Sequence, residues 1–264
     1  MKIVVCIKQV PSTNRVHMDP VTNTIIRDGR QSVTNPFDTH AIEEAVRLKE
    51  RMGGHVTAVS MGIPATEKLL RDAVSRGVDD AVLLSDPQFA GADTLATAYT
   101  LFRGIQSLGG VDVVICGKMA VDGDTAQIGP ELAEFMGIPH VTEVKRILEV
   151  TKKSITCEKI TDRGHQVLRI KLPALVTVVR EINMPRMPSI EGVINSQHHP
   201  VRCLDAAALS ADSACIGLTG SPTQVVRTFV PQRQVEAVTI EGDEGLQAKI
   251  IHQVIREVVG NDRA

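Results

Sequence analysis

Residues 117–127, Gly-Lys-Met-Ala-Val-Asp-Gly-Asp-Thr-Ala-Gln, have the composition in this sequence that best suits ligand chemistry. They follow the apolar run 111–116, which is typical of a buried strand, and they precede a helical pattern. Ligands of open α/β sheets bind outside the carboxyl ends of the strands. Two glycines, a hydroxyl and the amides of a helix N-terminus suit a phosphate or pyrophosphate. A plain capped turn is the alternative, because Asp122, Asp124 and Thr125 all favour helix caps.

A second stretch, Thr34–Asp38, opens another helical pattern. Asn35 can cap that helix and Pro36 suits its first position, so a purely structural helix start is the competing interpretation. Neither stretch matches the P-loop pattern GxxxxGK[ST] or the dinucleotide fingerprint GxGxxG.

Side-chain catalysis finds little support elsewhere in the sequence. The five cysteines are scattered without CxxC or Cys/His ligand spacing, which argues against a zinc or iron–sulfur site, so no metal is expected. No Ser/His/Asp or Cys/His signature is present, and the pair His198-His199 is more typical of a solvated loop than of a metal site. No catalytic side chain is therefore predicted, and the chemistry is expected to come from a bound cofactor.

Alternating strands and helices must position these two stretches. β-Branched runs and amphipathic patterns follow one another, with strands predicted at 2–6, 55–60, 80–84 and 111–116 and helices at 36–52, 65–76, 93–107 and 125–137. This order predicts βαβ crossovers, and hence an α/β fold with a doubly wound, mostly parallel sheet.

The pattern changes after residue 140. Three runs of alternating apolar and polar residues over 141–171 predict an antiparallel meander, and the buried run 174–179 is expected to return to the parallel sheet. Residues 12–28 carry turn signals and predict a small hairpin or loop excursion. Three prolines punctuate 182–200, and a final helix is predicted over 243–259.

Composition excludes several classes of protein. A net charge of −2 gives no broad attraction to nucleic acid, and the absence of Trp with one Tyr argues against a base-stacking platform. No apolar stretch approaches the length of a transmembrane helix, and the N-terminal apolar run is too short for a signal peptide. We therefore expect a cytoplasmic protein without nucleic-acid binding or membrane insertion.

Five segments in order resemble the β subunit of electron transfer flavoproteins. They are VVCIKQVP (4–11), NPFDTHAIEEAVRLKE (35–50), AVSMG (58–62), GKMAVDGDTAQIGP (117–130) and LPALVTVVREINMPRMPSI (172–190). The resemblance runs from residue 1 to about residue 195 and implies an adenine-nucleotide α-hydrolase-like fold.

The resemblance also implies a domain organisation and partners. A nucleotide-binding domain would span 1–195, with an antiparallel insertion at about 141–171 and a partner-recognition loop at about 182–200. Residues 196–264 would form a partner-embracing arm and helix. The implied partners are a flavin-carrying α subunit, in a heterodimer, and an acyl-CoA dehydrogenase-type protein.

Site residues follow from the same resemblance. The family's nucleotide contacts would fall at Cys6, Asn35, Pro36, Phe37, Asp38, Met61, Gly117, Lys118, Met119, Ala120, Val121, Asp122, Gly123, Asp124, Thr125, Ala126, Gln127 and Ile128. The apolar anchor of the recognition loop would be Ile182, with Met184 and Met187 close by. Lys8, Gln9 and Lys118 are further candidates to neutralise a phosphate or to steady a reduced flavin.

The sequence departs from ordinary AMP-holding members in one place. Those members carry a run of the form DDDCNQTG, whereas here Gly123 replaces an acidic side chain and Ala126 replaces an amide. Losing a carboxylate removes repulsion toward a second phosphate. The form DGDTAQ resembles the electron-bifurcating branch, as does the tail over 220–233. This implies FAD in place of AMP, NADH as electron donor, and ferredoxin or flavodoxin as an additional acceptor.

Two other functions remain open at this point. One is a non-bifurcating β subunit that holds a structural AMP and acts as scaffold and docking surface. The other is a stand-alone nucleotide-binding regulator of similar fold. The long segment 182–264 counts against the regulator, because it suits a chain that contacts a partner.

Overall fold

The computed structural model describes residues 1–12, 32–226 and 239–261, with side chains to residue 257. The chain divides into two compact units, Met1–Val226 and Arg227–Ala264. The predicted hairpin at 12–28 lies almost wholly outside the described residues. The segments that flank it, Gln9–Pro11 and Ser32–Thr34, pair with each other as antiparallel strands.

The first unit alternates strands and helices as the sequence predicts. In chain order its elements are β1 (Lys2–Cys6), β2 (Gln9–Pro11), β3 (Ser32–Thr34), α1 (Pro36–Met52), β4 (His55–Met61), α2 (Glu67–Ser75), β5 (Asp80–Leu84), α3 (Thr94–Gln106), β6 (Val113–Gly117), α4 (Ile128–Met136), β7 (His140–Val150), β8 (Ser154–Thr161), β9 (Gly164–Lys171), β10 (Ala174–Val178), α5 (Ile190–His198) and β11 (Val201–Leu204).

One nine-stranded sheet organises this unit, in the order β11-β5-β4-β1-β6-β10-β7-β8-β9. The seven strands from β11 to β7 run parallel, and β8 and β9 add an antiparallel edge. The predicted doubly wound, mostly parallel sheet with its meander is thus confirmed. After the meander, β10 inserts between β6 and β7, with Ala174 opposite Val113.

Apolar cores cover both faces of the sheet, which is why its central strands are continuously apolar. Helices α1 and α2 pack on one face, where Ile42 and Leu70 belong to the same apolar core as Ile3 of β1. Helices α3 and α4 pack on the other face, where Leu101 and Leu132 meet apolar residues of β1 and β6.

Helix α4 begins at Ile128 and not at residue 125 as the pattern suggested. The reason is local backbone geometry, because Asp124 and Ala126 have φ values of 51° and 54°. Left-handed residues cannot continue a right-handed helix. The three residues 125–127 therefore extend the preceding loop.

Residues beyond 182 are more ordered than their weak periodicity suggests. Helix α5 packs against α2, and β11 adds an edge strand beside β5, with Val201 opposite Ala81. The first unit consequently continues to Val226, beyond the boundary near residue 195 that the sequence implied.

In the second unit, the predicted final helix is present as α6 (Glu244–Asn261). Its apolar residues Leu246, Ile251, Val254 and Ile255 are each about half exposed. No helix among the described residues is long and apolar enough to cross a membrane.

Candidate functional site

A cleft lies where the direction of chain winding reverses in the sheet. Strand β1 has β4 on one side and β6 on the other, and the cleft of about 300 Å³ opens at the carboxyl ends of these strands. Open α/β sheets bind their ligands at such a switch point. The volume is at the lower end of the range for small-molecule sites.

Most of the site residues expected from the family resemblance line this cleft. They are Cys6, Asn35, Asp38, Met61, Gly117, Lys118, Met119, Ala120, Gly123, Thr125, Ala126, Gln127 and Ile128. The fold therefore brings together the end of β1, the start of α1, the end of β4 and the loop that joins β6 to α4.

Five expected residues do not line the cleft. Pro36 and Phe37 lie in the first turn of α1, where the Phe37 ring lies under the guanidinium of Arg180 at 4.7 Å. Val121 is partly exposed, and Asp122 and Asp124 lie outside the cleft wall.

Sequence reasoning missed one whole side of the cleft. Its wall includes residues of α3 and of the segment just before that helix, namely Ala92, the N-cap residue Asp93, Thr94, Thr97 and Leu101. Ile7, Cys116 and Gly129 also line the cleft, as does Lys8, which had been singled out only as a candidate cation. Since α3 follows β5, the rule that ligands bind at the carboxyl ends of strands could have identified this helix start.

Asn35 connects α1 to the loop between β6 and α4. It occupies the N-cap position of α1, but its side chain makes no capping hydrogen bond, contrary to the sequence expectation. Instead Nδ2 donates to the carbonyl of Met119 at 2.9 Å, and Oδ1 accepts from the Val121 amide at 3.2 Å. The side chain is almost fully buried.

Asp38 links the ends of β1 and β6. Its Oδ2 accepts a hydrogen bond from the Lys8 amide at 2.7 Å. Burial raises the pKa of Asp38 to about 7, although hydrogen bonds from the Asn35 side chain and from the Lys8 and Gly117 amides oppose this rise. The carboxyl lies so close to Gly117 that a Cβ on that glycine would come within 2.3 Å of Oδ1.

Two lysines give the cleft positive charge. Lys8 Nζ pairs with Asp122 Oδ1 at 2.7 Å, and Lys118 Nζ pairs with Glu143 Oε2 at 3.3 Å. Both lysines remain partly exposed, so an anionic ligand could compete for them. Gln9, the other polar candidate, instead accepts a hydrogen bond from Thr66 and does not line the cleft.

At the rim of the cleft, Asp93 ties α3 to the end of the first unit. One carboxylate oxygen caps α3 by accepting from the Ala96 amide at 3.1 Å. The other accepts from the amide and hydroxyl of Thr223, at 3.1 and 2.8 Å. The Asp93 amide in turn donates to Ser221 Oγ at 2.8 Å.

The two cysteines of the cleft lie side by side on neighbouring strands, with Cys6 opposite Cys116. A hydrogen bond with Cys6 and burial raise the pKa of Cys116 well above its usual value. The Cys116 thiol therefore stays protonated, and both buried side chains form apolar wall. Within the described ranges, no cluster of three or more His, Cys, Asp or Glu residues is arranged to hold a metal ion.

An apolar surface outside the cleft differs in one residue from expectation. Met184, Met187 and Ile190 are each more than four-fifths exposed. Ile182, the expected anchor, is partly buried and packs against the core formed by α1, α2 and the sheet, so it is less exposed than the two methionines. Arg186 fixes the backbone between the two methionines by pairing with Glu43 at 2.8 Å.

Comparison with known proteins identifies the family to which this chain belongs. The electron transfer flavoprotein domain matches residues 22–209. The chain is 46% identical over 235 residues to an electron transfer flavoprotein subunit beta of Thermoanaerobacterium thermosaccharolyticum, covering 89% of this chain and 90% of that protein. It is 42% identical to the caffeyl-CoA reductase-Etf complex subunit CarD of Acetobacterium woodii, covering 88% of each chain. It is also 42% identical to the protein FixA of Azotobacter vinelandii, covering 92% of this chain and 89% of that protein. The chain therefore belongs to the electron transfer flavoprotein family, among its β subunits.

Proposed function

We propose that this β subunit binds FAD in the cleft and, with an α subunit, takes electrons from NADH and divides them between two acceptors. One acceptor would be a ferredoxin or flavodoxin, and the other an acyl-CoA dehydrogenase-type protein. When bound, FAD supplies the redox chemistry, since it accepts a hydride and can pass on electrons singly.

The observation that carries this proposal is the wall that the β6–α4 loop presents to the cleft. It consists of small side chains and backbone, including Gly123, Ala126 and the start of α4, while the loop's two carboxylates lie outside the wall. An added Cβ at Gly123 would meet no atom within 4 Å, so this glycine leaves space beside the cleft. Backbone amides at a helix start favour phosphate, and the absence of a facing carboxylate on the loop favours a second one.

The chain's own residues would bind and orient the nucleotide. The amides from Thr125 to Gly129 are suited to the phosphates, and Lys8 and Lys118 would neutralise their charge. Asp38 holds the ends of β1 and β6 at a fixed separation beneath them. The cleft volume suits the adenosine phosphate portion that FAD and AMP share.

Exposed apolar surface supports the proposed partners. β subunits of this family pair with an α subunit, and the half-exposed apolar residues of α6 are suited to such a contact. Met184, Met187 and Ile190 form a second exposed apolar surface, for which an acyl-CoA dehydrogenase-type protein is the proposed partner. The name of the CarD relative, which refers to a caffeyl-CoA reductase complex, agrees with a partner of this kind.

AMP is the alternative ligand, and the modest volume of the cleft is the observation that favours it. In that case the chain would contain no redox centre and would serve as scaffold and docking surface. The composition of the β6–α4 loop therefore favours FAD, whereas the volume of the cleft favours AMP.

Nucleotide content decides between the two. The chain is co-expressed with its α subunit, the complex is purified, and FAD and AMP are quantified after acid release. We expect two FAD per heterodimer and little AMP. One FAD with one AMP would refute the bifurcating function.

A variant sharpens this experiment. The double substitution Gly123→Asp and Ala126→Asn restores the acidic and amide groups of AMP-holding members, and we expect it to lower FAD content to one per heterodimer. Ala207→Asn makes the same amide change at an exposed position outside the cleft and should leave both nucleotides unchanged.

A further inference from the structure

The β6–α4 loop forms few backbone hydrogen bonds within itself. Within the described chain, the backbone of residues 119–127 makes two short turn hydrogen bonds of its own, from the amides of Gly123 and Asp124 to the Ala120 carbonyl. Two of its residues, Asp124 and Ala126, have left-handed backbone without being glycine. Such residues are costly unless the surroundings fix them. The loop therefore needs an external constraint.

Asn35 supplies a constraint from a different element. Its side-chain amide donates to the Met119 carbonyl and accepts from the Val121 backbone amide. One side chain thus spans the intervening Ala120 and forms the two hydrogen bonds that a neighbouring strand would form. The backbone of Asn35 is fixed in turn, because its amide donates to the Lys8 carbonyl at 2.9 Å and its carbonyl accepts from Asp38 and Thr39 at the start of α1.

The other supports of the loop are weaker or lie at its ends. Lys118, just before these residues, donates its amide to the Val178 carbonyl at 2.8 Å and fixes only the entry of the loop. The Lys8–Asp122 ion pair involves a lysine that is 42% exposed, and exposed ion pairs contribute little to stability. The buried amide of Asn35 is therefore the main constraint in the middle of the loop.

We propose that Asn35 is a positioning residue, which sets the affinity of the cleft for adenine nucleotides by holding residues 119–127 in the conformation that receives the phosphates. The inference rests on the proposed nucleotide-binding function of the cleft. It assigns Asn35 a task other than helix capping and other than direct recognition of the ligand. Oδ1 and Nδ2 of Asn35 each form a hydrogen bond to the loop, and the side chain also donates to the Asp38 carboxyl.

Alternatives to asparagine fail for distinct reasons. Alanine leaves the Met119 carbonyl and the Val121 amide without their buried partner. Aspartate can still accept from Val121, but it places a carboxylate against the Met119 carbonyl and cannot donate to it. Asn35→Ala therefore removes both hydrogen bonds to the loop, and Asn35→Asp removes one of them.

Asn183 provides a matched control. Its Nδ2 also bridges two oxygens, the His40 carbonyl at 3.0 Å and Glu44 Oε2 at 3.1 Å, so it too is an amide clamp on α1. Asn183 does not line the cleft, and its described side-chain hydrogen bonds go to His40 and Glu44 of α1 and not to the loop. Asn183→Ala should therefore destabilise α1 without altering residues 119–127.

The experiment uses the full chain in complex with its α subunit. Hydrogen–deuterium exchange of peptides covering 117–127 is measured after the nucleotides have been removed, and the affinities for FAD and for AMP are measured by calorimetry. For Asn35→Ala we expect at least tenfold faster exchange in the loop and at least tenfold weaker binding of the preferred nucleotide. Asn183→Ala should leave both quantities within twofold of wild type.

Each outcome is decisive. Weaker binding by Asn35→Ala with unchanged loop exchange would overturn the proposal, because Asn35 would then contact the ligand directly. Equal loop acceleration in Asn183→Ala would also overturn it. If Asn35→Ala does not fold, Asn35→Asp takes its place, with faster loop exchange expected and unchanged exchange refuting the idea. Failure of the wild type to bind either nucleotide would refute the proposed function, whereas loop exchange in the ligand-free protein would still test the role of Asn35.

Discussion

The buried carboxyl of Asp38 should make the stability of this protein depend on pH in an unusual direction. Burial raises the pKa of Asp38 from 3.8 to about 7. An unfolded chain releases this proton near pH 4, so between pH 4 and 7 the native state binds a proton that the unfolded state has lost. This residue therefore stabilises the fold more as the pH falls through that window, which is the opposite of a salt-bridged aspartate.

The expected magnitude follows from linkage. For a group whose pKa is about 4 in the unfolded chain and about 7 in the native protein, lowering the pH from 8 to 5 adds about 3 kcal/mol to the free energy of unfolding. Asp38→Asn cannot titrate, so this contribution should be absent from the variant. The difference in unfolding free energy between wild type and variant should then change by about 3 kcal/mol across the same pH range.

Urea unfolding at pH 5, 6, 7 and 8, followed by circular dichroism, measures this difference. Asp112→Asn is the matched control, because Asp112 Oδ2 also accepts from a strand amide, that of Lys2 at 2.7 Å, but in an exposed setting. This variant retains Asp38, so it should keep the gain in stability toward pH 5 that Asp38→Asn loses. Parallel profiles for wild type and Asp38→Asn, within about 0.5 kcal/mol, would refute the assignment of a buried, protonated Asp38.

Two further predictions concern close packing and a buried ion pair. Gly117→Ala should destabilise the fold by about 3 kcal/mol and abolish nucleotide retention, because the added Cβ overlaps α1, whereas Gly123→Ala enters empty space and should change stability by less than about 0.5 kcal/mol. Urea midpoints and nucleotide content test this pair, and equal effects of the two substitutions would contradict it. Arg186→Ala should lower the free energy of unfolding by about 3 kcal/mol, because it removes a partner from the buried carboxylate of Glu43. Glu50→Ala removes only the exposed partner of the same arginine and should lower it by less than about 1 kcal/mol. Thermal melting of the two variants measures the contrast, which should disappear if Glu43 is well solvated.

Periodicity predicted the architecture of the first unit because each element carries its own signal. The apolar runs of β1, β4, β5 and β6 and the amphipathic patterns between them are local features, and their alternation indicates βαβ crossovers and a parallel sheet. The short β11 and α5 were missed for the opposite reason. Their residues are mostly exposed, and they are held by β5 and α2, which lie far away in the sequence.

The cleft likewise has features that the local sequence predicts and features that it does not. Its β6–α4 loop and its NPxD segment could be recognised as candidates from composition and from the family resemblance. The division of labour among those residues could not, because it depends on contacts between elements. Asn35 was expected to cap α1, but its side chain binds the loop. Ile182 was expected as an exposed anchor, but it is partly buried against the core.

The late insertion of β10 at the centre of the sheet also determines the order in which this protein can be made. The entry of the β6–α4 loop is hydrogen-bonded to Val178, so the cleft is not complete until the ribosome has released the whole meander and β10. Pairing of β6 with β10 closes a long stretch of chain, a contact of high sequence separation that slows folding. Until then the edge of β6 has no partner, and exposed strand edges invite association between chains. A ligand of the cleft that is supplied during synthesis would thus bind the finished domain and could not guide the folding of the nascent chain.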